Sequence, residues 1–93
     1  MKMDKIDIEK TLKKALKSGK VYLGSKRAIK ALKRKEAKLV VISMNCPKEI
    51  REKIEKYRSD VPVVVYNGTN MELGAMCGKP FSVAALAIVG EIG

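Results

Sequence analysis

Histidine and tryptophan are absent from this chain, and its aromatics are three Tyr and one Phe. Without His there is no Cys/His zinc finger and little room for general-base catalysis. Without Trp, and with so few rings, the core has to be built from Val, Ile, Leu and Ala. Cysteine is scarce too. Cys46 and Cys77 show neither a CxxC nor a metal-ligand spacing, so the chain reads as reduced and cytosolic. Long apolar runs are missing: the longest, Val83 to Val89, falls well short of the ~20 residues a membrane helix needs. The first residues are charged and lack the apolar stretch of a signal peptide, so no membrane partner is expected.

Acidic side chains number 10 against 20 basic ones, leaving a net charge of +10 on 93 residues. That density repels itself in a compact state and attracts a polyanion, which makes nucleic acid the leading partner. The charge is also lopsided. Residues 1–36 carry 13 Lys/Arg and 4 Asp/Glu, whereas residues 37–93 carry 7 and 6, so one face should be electropositive. The alternative is that Lys-rich helices only keep a small protein soluble. A chain of this length forms one domain, residues 1–93, with a single core and no room for a second catalytic unit.

Helical and strand signals alternate along the chain. Ile8, Leu12, Ala15 and Leu16 recur at three and four residues, with Asp4 or Asp7 as cap and Ser18-Gly19 as the end of a helix. Val21-Tyr22-Leu23 is a short strand stopped by Gly24. Ser25 then N-caps a helix that turns Ala28, Ile29, Ala31 and Leu32 inward and Lys26, Arg27, Lys30, Lys33, Arg34 and Lys35 outward. Leu39 to Ser43 lacks polar alternation before its last residue, as in a strand covered on both faces. Pro47 opens a helix over 48–58 with Ile50, Ile54 and Tyr57 on one stripe and Glu49–Lys53 and Glu52–Lys56 pairs outside, structural rather than adhesive in appearance. Val63 to Tyr66 is a third strand. Thr69 and Glu72 have the spacing of a capping box, Leu73, Met76 and Cys77 point inward, and Gly78 and Pro80 end that helix. Val83 to Val89 makes the last strand. The order is α-β-α-β-α-β-α-β, an α/β fold with helices on both faces of a four-stranded sheet.

In such sheets, function gathers at the segments leaving the strand ends. Three stand out. Gly24-Ser25-Lys26-Arg27 joins a strand to a helix start, where free amides and two cations suit phosphate; neither a Walker loop nor a dinucleotide fingerprint is present. Asn45 follows the second strand and either reads a base edge or makes an Asx turn before Pro47. Its neighbour Cys46, at a helix start, is the one conceivable enzymatic nucleophile, though with no His beside it. Phe81, in a loop with Lys79, either stacks on an unpaired base or is buried in the core.

Several separated stretches also match a known family: Val21-Tyr22-Leu23-Gly24-Ser25-Lys26, Ala37-Lys38-Leu39-Val40-Val41-Ile42, Asn45-Cys46-Pro47, and Asn70-Met71-Glu72-Leu73-Gly74 followed by Gly78-Lys79-Pro80. In these the chain resembles the large-subunit ribosomal L-thirty-e family of archaea and eukaryotes, within the L-seven-A-e superfamily of kink-turn RNA binders. The resemblance implies a three-layer α/β/α sandwich with a mixed sheet, whose strand-end loops enter a sharp bend in ribosomal RNA. It implies that Gly24, Lys26 and Arg27 contact backbone and purine edges, that Asn45 hydrogen-bonds a base, and that Phe81 and Val83 pack on an extruded base. Ser25, Lys30 and Lys79 complete the expected RNA-binding set. Broader kink-turn binders carry Gly-Thr-Asn-Glu where this chain has Gly24-Ser25-Lys26-Arg27, which favours a ribosomal role over a stand-alone guide-RNA one. The expectations are a non-enzymatic, cofactor-free, monomeric protein of the cytoplasmic ribosome, partnered by ribosomal RNA and other ribosomal components.

Overall fold

The structure is a computed structural model and describes residues 8–90. Its elements run α1 (Ile8–Ser18), β1 (Val21–Leu23), α2 (Ser25–Lys33), β2 (Leu39–Ser43), α3 (Lys48–Glu55), β3 (Val63–Tyr66), α4 (Asn70–Met76) and β4 (Ala85–Ile88). The alternation read from the sequence is the one observed. The expected caps Asp4 and Asp7, and the side chain of Ile8, lie outside the described residues.

The sheet order is β1-β4-β2-β3, with β2 and β3 parallel and β4 antiparallel to both of its neighbours. A mixed sheet of this order sends the C-terminal ends of β1, β2 and β3 and the N-terminal start of β4 to one rim. Every residue of β2 is buried, as its unbroken apolar run requires, because β2 sits inside the sheet and both its faces are covered. Alternate strand residues feed two cores. Val40, Ile42, Val63, Ala85 and Ala87 meet Ala28, Ala31, Leu32 and Ile54 from α2 and α3. Leu39, Val41, Leu86 and Ile88 meet Leu12, Ala15, Leu73 and Cys77 from α1 and α4. The result is a three-layer α/β/α sandwich.

Three local expectations change. The last strand is Ala85–Ile88 rather than Val83–Val89; its expected first residue bonds elsewhere, the Val83 N–H donating to the Asn70 carbonyl at 3.0 Å. The third helix stops at Glu55, where the Tyr57 and Arg58 amides make three-residue turns back to Ile54 and Glu55. On its exposed side the ion pair formed is Arg58–Glu55 in place of the two expected Glu–Lys pairs.

Candidate RNA interface

The rim is held together by hydrogen bonds that cross between its four segments. The Gly24 N–H donates to the Ala85 carbonyl at 2.9 Å, Ser43 N–H to Ala84 at 2.9 Å, and Met44 N–H to Gly68 at 2.9 Å. Such pairing spends the loop backbone's polar groups on one another, so the loops are positioned by the sheet that ends in them. Gly24, Ser25, Lys26, Arg27 and Asn45 thus share one edge of the molecule.

At the β1–α2 junction the expected serine cap is not formed. Ser25 is the first helical residue and does not cap; the N-cap position belongs to Gly24, at φ 105° and ψ 149°. That backbone conformation excludes ordinary side chains, so a glycine is required and no capping oxygen is available. No side chain caps α2, and its first turn carries no acidic residue. The helix therefore presents its first amides, the positive end of its dipole and the exposed Lys26 and Arg27 together. An anion is the natural complement.

Asn45 does not make the Asx turn before Pro47. Its Oδ1 accepts from the Asn70 backbone N–H at 2.8 Å, reaching across to the first turn of α4. Its side-chain NH2 donors remain available on an exposed residue. Asn70 itself is the hub: its carbonyl accepts from Val83 and its Oδ1 accepts from the hydroxyl of the fully buried Ser43. One residue thus fixes the β2–α3 segment, the start of α4 and the α4–β4 loop. Nothing in the local sequence marks Asn70 for this role, since all these partners are distant in the chain. The adjacent capping box is as expected, with Glu72 N–H to Thr69 Oγ1 at 3.2 Å and Thr69 N–H to Glu72 Oε1 at 2.8 Å.

The α4–β4 loop runs back along α4. The Lys79 N–H donates to the Gly74 carbonyl at 3.0 Å, and a Cβ placed on Gly74 would lie 2.0 Å from the Phe81 carbonyl oxygen. Lys79 and Phe81 therefore flank Gly74, about 6 Å or one helical turn behind the leading edge at Asn70. Phe81 is 55% exposed, which rules out burial in the core, and Met44 and Met71 are exposed as well. Val83 is different. It is 1% exposed within the α1/α4 core, so its side chain anchors the loop and offers no surface for a base to pack on. Lys30 lies one turn along α2 from Lys26, exposed on the helix flank.

The thiols are ruled out as activated nucleophiles. Cys46 and Cys77 are both buried. Burial pushes both thiols up; Arg51 offsets this in part at Cys46, and Lys79 at Cys77. A thiol held protonated is a poor nucleophile, so Cys46 serves as packing in the α2/α3 core. Among the described residues no Cys/Asp/Glu cluster could hold a metal ion, and no helix is long and apolar enough to cross a membrane.

Comparison with known proteins shows the family of the chain. A sequence profile of the "Ribosomal protein L7Ae/L30e/S12e/Gadd45 family" matches residues 6–92. The large ribosomal subunit protein eL30 of Archaeoglobus fulgidus is 57% identical over 86 residues, covering 92% of this chain and 98% of that protein. That of Methanosarcina mazei is 48% identical over 89 residues, covering 96% and 84%. A Giardia lamblia 15.5kD RNA binding protein superposes with a TM-score of 0.81 at 22% identity, covering 98% of this chain and 78% of its own, a likeness of fold.

Proposed function

Because this chain belongs to the L7Ae/L30e/S12e/Gadd45 family of ribosomal proteins, we propose that it is a structural, non-catalytic component of the large ribosomal subunit. In this reading residues 1–93 act as one monomeric RNA-binding domain in the cytoplasmic ribosome. Its ligand is a kinked, kink-turn-like internal loop of ribosomal RNA. The observation that carries the reading is the rim: an uncapped, cationic helix start beside an exposed Asn45 and an exposed Phe81.

The parts divide the work. The α2 amides with Ser25, Lys26 and Arg27 take the phosphates of the bent strand, and Gly24 lets the backbone approach closely. Asn45 donates to a base edge, Phe81 stacks on an unpaired base, and Lys79 neutralises phosphate beside it. Val83 acts from below by holding the loop. The relatives' names are those of ribosomal proteins, which supports this reading over a stand-alone guide-RNA one.

The test is RNA affinity against salt. Lys26→Ala weakens binding to every RNA and lowers the slope of log K against log salt by about 0.9, one phosphate's worth. Phe81→Ala costs roughly 1–3 kcal/mol with little change in slope. Unchanged affinity in both variants would remove the rim from RNA binding.

A further inference from the structure

A second basic surface lies away from the rim, between α2 and α3. Lys26, Lys30 and Lys33 form one wall, at helical spacings of four and three residues, and Lys53 and Lys56 form the other. The half-buried Ile29 and Tyr57 make the floor of a groove of about 400 Å³. No acidic side chain lines it, although α3 carries three, and among the described residues none of the five lysines forms an ion pair.

We propose that this groove takes the phosphodiester backbone of the RNA strand as it leaves the rim, making α3 a second RNA-contacting element. Lys26 belongs to both surfaces, so the electropositive path from the helix start into the groove is continuous. The α2 wall spans about 10 Å from Lys26 to Lys33, room for about two successive phosphates of one strand. Paired rows of ammonium groups suit a phosphate backbone, and charge contacts of that kind carry no sequence preference. An acidic protein segment is the rival occupant. The continuity through Lys26 favours RNA, because the cation at the helix start is also the first residue of the groove wall.

The experiment uses the full chain and two RNA hairpins with the same tandem G·A internal loop, one flanked by a full turn of duplex and one trimmed. Lys53→Gln/Lys56→Gln, both changes on exposed side chains, is expected to weaken the flanked RNA roughly tenfold near physiological salt and to lower its salt slope by nearly two. The trimmed RNA should bind as tightly as before. Equal weakening of both RNAs, or of neither, overturns the proposal. Phe81→Ala weakens both RNAs, so failure of the rim is distinguishable from failure of the groove. As a readout free of mutation, acetylation of the wild-type lysines is mapped with and without plain duplex RNA at low salt. Protection of Lys53 and Lys56 with continued labelling of Lys48 supports the groove. Protection by polyglutamate and not by RNA assigns it to an acidic protein and overturns the proposal.

Discussion

Gly74 offers a test in which two physical effects have opposite signs. It lies in the interior of α4, where alanine in place of glycine ordinarily gains about 1 kcal/mol of helix propensity. Its added Cβ would stand 2.0 Å from the Phe81 carbonyl oxygen, 3.1 Å from the Phe81 carbonyl carbon and 3.2 Å from the Ser82 Cα. All three atoms are backbone, so no rotamer change relieves the contact; the loop has to retreat by on the order of 1 Å to reach ordinary packing distance. Overpacking of that kind costs about 1–3 kcal/mol. Retreat also strains the Lys79 to Gly74 and Val83 to Asn70 hydrogen bonds, each worth roughly 0.5–1.5 kcal/mol. Loss exceeds gain, and Gly74→Ala should destabilise by about 1–3 kcal/mol, lowering Tm by roughly 5–20 °C in a domain of this size. Thermal melting followed by circular dichroism measures it. Ala75→Gly, at an exposed neighbouring site in the same helix, gives the propensity effect alone. RNA affinity should fall with stability at Gly74, because the displaced segment carries Phe81. A Gly74→Ala protein that melts at or above the native temperature would refute the close approach and with it the positioning of Phe81.

Other outcomes follow from the same contacts. Asn70→Ala leaves the fully buried Ser43 hydroxyl without its partner and should cost about 1–3 kcal/mol, seen as a lower urea midpoint at unchanged m value. Cys46 and Cys77 should react with a thiol reagent far more slowly in the native protein than in urea; fast native labelling at neutral pH would contradict their burial. Because folding raises both thiol pKa values above their unfolded values, the stability they contribute is complete below the unfolded thiol pKa. It is lost as pH rises through the folded one, so denaturation midpoints should fall on the alkaline side, and less steeply in a double Cys→Ala variant.

Several features were legible in the sequence because they are local. Helical spacing of apolar residues gave α1 and α2, the apolar run at Leu39–Ser43 marked an interior strand, and Thr69 with Glu72 marked a helix start. Each depends on side chains a few residues apart. Charge was legible as well, since a +10 chain attracts polyanions whatever its fold. What the local pattern could not supply were contacts between residues far apart in the chain. Asn45 meets Asn70 across 25 positions and Ser43 meets Asn70 across 27, so the rim's organising residue looks from sequence like an ordinary helix start. Whether Ser25 caps α2 turned on the dihedral angles of Gly24, which the residue type permits without dictating.

The amino-acid sequence by itself determined the element order, the aliphatic core and the cationic character of the surface, because periodicity and composition act at short range or through the whole chain's charge. Only the tertiary structure decided which loops meet and that Val83 turns inward while Phe81 turns out. It also decided that the lysines of α3 face those of α2 across one groove. The reason is geometric: those relations are set by how the helices lie on the sheet, and burial at that level is shared between segments that carry no local trace of one another.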